Sequence, residues 1–78
     1  MTRETLREAL ARHLELAPHE IAGDANLILL DMTSMGMMEL VNGWRRDGLP
    51  VRFAALVREP TLDGWWAHLD GLRAEATR

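Results

Sequence analysis

The 78 residues contain no cysteine, and this absence constrains the fold more than any feature present. A chain this short buries only about 60% of the surface its unfolded form exposes. Small domains usually make up that deficit with disulfides or thiolate-bound metal, and neither is possible here. Burial of apolar side chains must therefore hold the fold alone. The supply is normal for a globular protein, at 47% hydrophobic residues, and the length allows one domain over residues 1–78. Twelve acids against nine bases give a net charge of -3, whereas a general nucleic-acid binder should carry a basic face. All the bases are arginine. No apolar run approaches the roughly 18 residues of a membrane span, and Thr2, Arg3 and Glu4 do not open a signal peptide. The expectation is a small, soluble, cytoplasmic, monomeric domain that binds neither nucleic acid nor membrane.

Hydrophobic spacing divides the chain into helices. Leu6, Leu10 and Leu14 recur every four residues behind Thr2, a good N-cap, which predicts a helix over roughly 3–15. Pro18 breaks it, and Leu16 to Leu30 reads as a long loop pinned to the core by Ile21, Leu27, Leu29 and Leu30. Loops of that length in a small domain are uncommon and often functional. Met37, Leu40, Val41 and Trp44 form one buried stripe of a helix over roughly 34–47, which Gly48 stops and Pro50 keeps from resuming. Phe53 to Arg58 makes one or two turns with Phe53, Leu56 and Val57 inward. Thr61 caps a last helix over roughly 62–75, on which Leu62, Trp65, Trp66, Leu69 and Leu72 share a broad face. No alternation is long enough for a strand. The predicted fold is all-α, a four-helix bundle of three longer helices and a short one.

Little in this inventory can catalyse. His13, His19 and His68 lack the spacing of a metal site and read as structural or solvated residues. The scattered carboxylates form no acid–base pair, and no nucleophile, base and orienting group come together in sequence. Neither a catalytic residue nor a metal ligand is expected. The tryptophans are either core or ligand-binding, with the core reading favoured in a chain otherwise poor in aromatics.

The segment from Leu29 to Leu40 is the informative one. Four of the five methionines fall within seven residues around the only serine, Ser34. Counting about 100° per residue from Ser34, the stripe of Met37, Leu40, Val41 and Trp44 centres near 285°. Met38 falls near 40° and Met35 near 100° on the same count, on the solvent side. Gly36 and Gly43 also point outward in this register. Two readings stand: a helix-start serine with gap-filling methionines, or a serine flanked by an adaptable docking surface.

The order of elements adds to this. A leading helix, a loop ending in Leu29-Leu30, a serine opening the second helix, a short third helix and Glu59-Pro60-Thr61-Leu62 opening the last resemble the acyl and peptidyl carrier proteins over nearly the whole chain. Trp44-Arg45, Phe53 through Leu56, and Pro60-Thr61-Leu62-Asp63-Gly64-Trp65-Trp66 resemble the aryl carrier proteins of nonribosomal peptide and siderophore assembly. That family attaches 4′-phosphopantetheine to the serine of a Gly-x-Asp-Ser motif. Asp31, Met32, Thr33 and Ser34 stand there in this chain, so serine is kept while glycine and aspartate are replaced.

The resemblance implies a covalent 4′-phosphopantetheine on Ser34 that holds an aromatic acid as a thioester. The implied partners are a phosphopantetheinyl transferase, an aryl-acid adenylating enzyme and a condensation domain of a peptide synthetase. Fatty-acid carriers present an acidic second helix, but here Glu39 and Asp47 are matched by Arg45 and Arg46. Docking is therefore expected to be apolar, through Met35 and Met38 with Phe53 and Ala54. Two alternatives remain: a peptidyl carrier loaded with an amino acid, and a cofactor-free helical adaptor.

Overall fold

The computed structural model describes residues 1–76, and over them the chain is all-α. The helices are α1 (Arg3–Leu14), α2 (Ser34–Arg46), α3 (Phe53–Arg58) and α4 (Leu62–Ala76), with a 3-10 turn at Pro18–Glu20 inside the long loop. Each boundary follows from local chemistry. Thr2 and Thr5 cap α1 reciprocally: the Thr5 N–H donates to Thr2 Oγ1 at 3.1 Å and the Thr2 N–H to Thr5 Oγ1 at 2.8 Å. The chain leaves α1 through Glu15 in the left-handed region, φ 58°, and the Leu16 N–H closes back on the Ala11 carbonyl at 2.9 Å. Gly48 ends α2 at φ 91°, where a residue without Cβ is unstrained. Thr61 Oγ1 accepts the Gly64 N–H at 2.9 Å and starts α4.

The core is apolar throughout its described part. Leu6, Leu10 and Ala11 of α1 meet Met37, Val41 and Trp44 of α2, Leu56 of α3, and Leu62, Trp65 and Leu69 of α4. Trp44 and Trp65 cross edge to face, with ring centroids 6.3 Å apart, a favoured aromatic geometry. The buried Trp65 indole N–H is not orphaned; it donates to the Leu56 carbonyl at 3.0 Å. No helix of the described residues is long and apolar enough to cross a membrane.

The long loop is stitched to the bundle rather than draped over it. Ile21, Leu27 and Met32 are buried. The Leu27 N–H donates to the Pro60 carbonyl at 2.7 Å and the Asp63 N–H to the Gly23 carbonyl at 2.9 Å. Arg3 pairs with Asp63 across the same corner, so the loop, the start of α1 and the start of α4 are joined at one place.

Five expectations are corrected. Leu29 does not pin the loop; it is 81% exposed, because the turns around it point it away from the bundle. Val57 is exposed, since a helix of only two turns has one inward face and Leu56 takes it. Trp66 is half-buried, at the edge of the face that Trp65 fills, with the Arg73 guanidinium 5.8 Å from its ring centroid. Gly36 is buried, not outward. A Cβ there would overlap the imidazole of His13, so that side chain of α1 packs directly on the glycine. Gly43 is half-buried, and a Cβ there would meet only the far end of Arg46, at 3.8 Å.

Candidate attachment site at the start of the second helix

The approach to Ser34 is built from consecutive tight turns. The Asn26 side chain accepts the Ile28 N–H at 2.9 Å. The N–H groups of Leu29, Leu30 and Asp31 then each donate three residues back, at 3.1 Å. Asp31 ends the series at φ 73°, a conformation that favours glycine and that aspartate tolerates better than most residues. Met32 then turns inward, 3% exposed, with its N–H on the Leu27 carbonyl at 3.0 Å. Its burial anchors the chain two residues before the serine.

Thr33 caps α2. Its backbone is extended, and its Oγ1 accepts the Gly36 N–H at 3.0 Å. Ser34 is therefore the first helical residue, and it is exposed. Among the described residues its hydroxyl has no hydrogen-bond partner. The N–H groups that open a helix have no partner within it, and together with the helix dipole they favour an anion. The first turn of α2 carries no acidic residue to oppose one. These residues fit a phosphodiester on Ser34 Oγ.

No base is hydrogen-bonded to the serine hydroxyl among the described residues. The imidazole of His13 lies against Gly36, about 200° around the helix from Ser34. The arrangement therefore suits a hydroxyl modified by another protein's catalytic groups.

The expected docking residues are distributed as follows. Met35 is 75% exposed and Met38 is 38% exposed, both about one turn or less from Ser34 along α2. Ala54 is exposed and Phe53 half-buried, on α3, which packs against α2. Ile28 and Leu29 are exposed as well, and sequence reasoning assigned them no surface role. Only the Asn26 side-chain turn and the left-handed Asp31 set their direction, and neither has a hydrophobic period.

Comparison with known proteins supplies a family. Residues 4–69 match the family described as "Phosphopantetheine attachment site". Phenyloxazoline synthase MbtB of a Mycobacterium species (strain MCS) is 37% identical over 62 residues, 80% of this chain and 5% of that protein. Isochorismatase of Bacillus subtilis is 34% identical over 64 residues, 82% of this chain and 20% of that protein. Enterobactin synthase component B of Escherichia coli K12 is 34% identical over 65 residues, 83% of this chain and 22% of that protein. The chain thus spans between a twentieth and about a fifth of these relatives' length. No solved structure matches it significantly. An all-α bundle, an exposed serine opening its second helix and a family match over most of the sequence lead to one conclusion: the chain belongs to the phosphopantetheine attachment site family.

Proposed function

We propose that residues 1–78 act as a single, monomeric aryl carrier unit, with 4′-phosphopantetheine attached to Ser34. The observation that carries this reading is Ser34 itself: the only serine in the chain, exposed, and first in a helix capped by Thr33. In attachment the Ser34 oxygen bonds to the β-phosphorus of coenzyme A, and adenosine bisphosphate leaves. The hydroxyl proton passes to the transferase. The bound arm supplies the thiol that this cysteine-free chain lacks. The chain's own part is to hold the phosphodiester at the N-terminus of α2 and to present a surface that partners recognise. Tethering then raises the effective concentration of the cargo at each partner.

An aromatic cargo is supported by the tandem Trp65-Trp66 motif after Pro60-Thr61 and by the relatives, one of which is named for a phenyl-bearing product. The chain as a whole also resembles the carrier that holds methyl-hydroxyanthranilate in actinomycin assembly, which makes that acid the first to try. The partners are then a phosphopantetheinyl transferase, an aryl-acid adenylating enzyme and a condensation domain, docking on Met35 and Met38 with Phe53 and Ala54.

Intact mass after incubation with a broad-specificity phosphopantetheinyl transferase and coenzyme A tests the reading. Wild type should gain one phosphopantetheinyl group, and Ser34→Ala should gain none while keeping its helical circular dichroism. Modification elsewhere, or none, removes the carrier reading and leaves the adaptor. Loading of the holo protein by an amino-acid-activating enzyme in preference to an aryl-acid one makes it a peptidyl carrier.

A further inference from the structure

Charge is shared unevenly along the chain. Residues 45–58 carry Arg45, Arg46, Arg52 and Arg58, four of the nine bases, against Asp47 alone among the twelve acids. The segment is net +3 in a chain of net -3, so the remainder carries -6. All four arginines are exposed. Among the described residues, none of them lies within ion-pair distance of a carboxylate; the ion pairs belong to Arg3 and Arg7.

The turn from Gly48 to Val51 folds the end of α2 against the start of α3 and fixes this surface. Arg45 Nε donates to the Val51 carbonyl at 3.0 Å, which orients its guanidinium. The Arg52 N–H donates to His68 Nε2 at 3.2 Å, which ties the start of α3 to α4. Two shallow recesses result. One, of about 420 Å³, is lined by Arg45, Leu49, Pro50, Val51 and Arg52. The other, of about 380 Å³, is lined by Arg52, Arg58, His68, Leu72 and Glu75. Arg52 borders both.

Helix chemistry accounts for part of this charge. Arg45 and Arg46 stand in the last turn of α2 and Arg58 in the last turn of α3, where a cation offsets the dipole. Arg52 has no such reason. It is the N-cap residue of α3, the end at which a cation is disfavoured. It also stands beside His68, whose pKa is lowered by burial and then by the Arg52 charge. In the isolated chain this guanidinium is a local cost, and an anion laid across it would remove that cost.

We propose that the face formed by residues 45–58 docks an acidic, partly apolar surface of a partner protein, with Arg45, Arg52 and Arg58 pairing its carboxylates. Guanidinium and carboxylate match in a planar, two-pronged geometry. Leu49 and Pro50 line the recess between Arg45 and Arg52, Ala54 and Ala55 line the one between Arg52 and Arg58, and apolar patches among arginines suit a protein surface better than a phosphate backbone. The molecule measures only 35 × 22 × 20 Å. An extended polyanion would therefore run from the basic segment into the field of the remaining -6 within about two Debye lengths at 0.1 M salt. Ser34 lies eleven residues from Arg45, about 17 Å along α2, so this face is separate from the attachment site and needs no arm on Ser34. It shares Phe53 and Ala54 with the apolar surface.

The test uses ¹⁵N-labelled protein without the arm, titrated with an amphipathic helical peptide of Glu and Leu about 18 residues long. Amide shifts should concentrate in residues 45–58 and at His68. Affinity should fall about tenfold or more between roughly 50 and 300 mM salt, as expected of charge pairing at a surface. The double variant Arg52→Gln with Arg58→Gln should bind about tenfold more weakly or worse, with wild-type thermal melting. Absent or scattered shifts, or a double variant that binds like wild type, overturn the proposal. So does tighter binding at the same residues by a single-stranded RNA or by phosphatidylglycerol vesicles than by the peptide. Because the protein carries no arm, every outcome is independent of whether Ser34 is modified.

Discussion

Met35 and Met37 stand two positions apart on α2, yet one is 75% exposed and the other 2%. The same division runs through the whole molecule. Between the helices, Met37, Val41, Trp44 and Trp65 are buried in one cluster. On the rim around Ser34, Ile28, Leu29, Met35 and Met38 face solvent. A domain this small has little apolar surface to leave unused, and on the proposed function these exposed apolar side chains serve as a contact surface. The two regions use one kind of side chain for two ends. The core side spends its area on stability; on the proposed function, the rim keeps its area for association.

The sharpest test of this division is at the tandem tryptophans, which straddle it. Trp65 is fully buried and hydrogen-bonded through its indole, so Trp65→Ala should cost about 3–5 kcal/mol. Natural domains have roughly 5–15 kcal/mol in total, and small ones lie low in that range, so much of this variant should be unfolded at room temperature. Trp66 is half-buried, and Trp66→Ala should cost about half as much. Urea denaturation followed by circular dichroism measures both. Equal losses would mean that the two rings do not divide between the core and its edge.

Local signals and tertiary packing account for what the sequence disclosed and what it did not. The helices begin and end within one or two residues of expectation because Thr2, Thr33, Thr61 and Gly48 act on their immediate neighbours. Their hydrogen bonds span three or four residues and need no knowledge of the fold. Ser34 at the head of α2 was legible for the same reason, and the order of elements gave it a role. Which way a side chain faces was less legible where a second element decides it. Gly36 lies about 85° from the centre of the α2 stripe, which a single-helix count places outside, and only the arrival of His13 buries it. Leu29 and Leu30 read alike, but the turn series separates them. Met32 had no period to follow and is buried because the loop must return to Thr33.

The methionine pair itself gives the next contrast. Met37→Ala should destabilise the fold by about 2–4 kcal/mol, the range for emptying a buried methionine site. Met35→Asp should stay within about 0.5 kcal/mol of wild type, since an exposed position tolerates charge. It should nevertheless slow aryl transfer from the adenylating enzyme to the holo protein, because a carboxylate would have to be desolvated at the contact. That slowing should depend only weakly on salt. If Met35→Asp instead transfers normally while modest salt abolishes transfer, recognition by that enzyme lies in the charged face, not in the rim.

A smaller effect of opposite sign is expected in the rim's backbone. Asp31 holds φ 73° at the position where the family motif has glycine, and an L side chain is disfavoured there. Asp31→Gly relieves this while increasing the freedom of the unfolded chain, so a net gain of about 0.5 kcal/mol is expected. A gain in the denaturation midpoint would show that the approach to Ser34 holds mild strain that the core lacks. A loss would mean that the Asp31 carboxylate contributes more than its backbone costs.

His68 gives the smallest effect, at the boundary between the two regions. It is half-buried on α4, and its Nε2 accepts the Arg52 N–H at 3.2 Å, so the folded state holds the ring neutral with its proton on Nδ1. Burial first, and then the Arg52 charge, lower its pKa below the ordinary 6.5. Arg58 and Glu75 border the same recess; the first opposes protonation and the second favours it. The unfolded chain therefore binds this proton more readily than the folded one. The stabilising contribution is complete above about pH 6.5, declines as pH falls from there toward the folded value, and is constant below it. His68→Gln supplies a non-titrating acceptor for the Arg52 N–H and should flatten that decline without lowering stability at pH 7.5. The comparison is urea midpoints at pH 7.5 and 5.5 for both proteins, so that contributions common to the two cancel. Parallel losses would place His68 with the solvated rim and deny the α3–α4 contact any dependence on its charge.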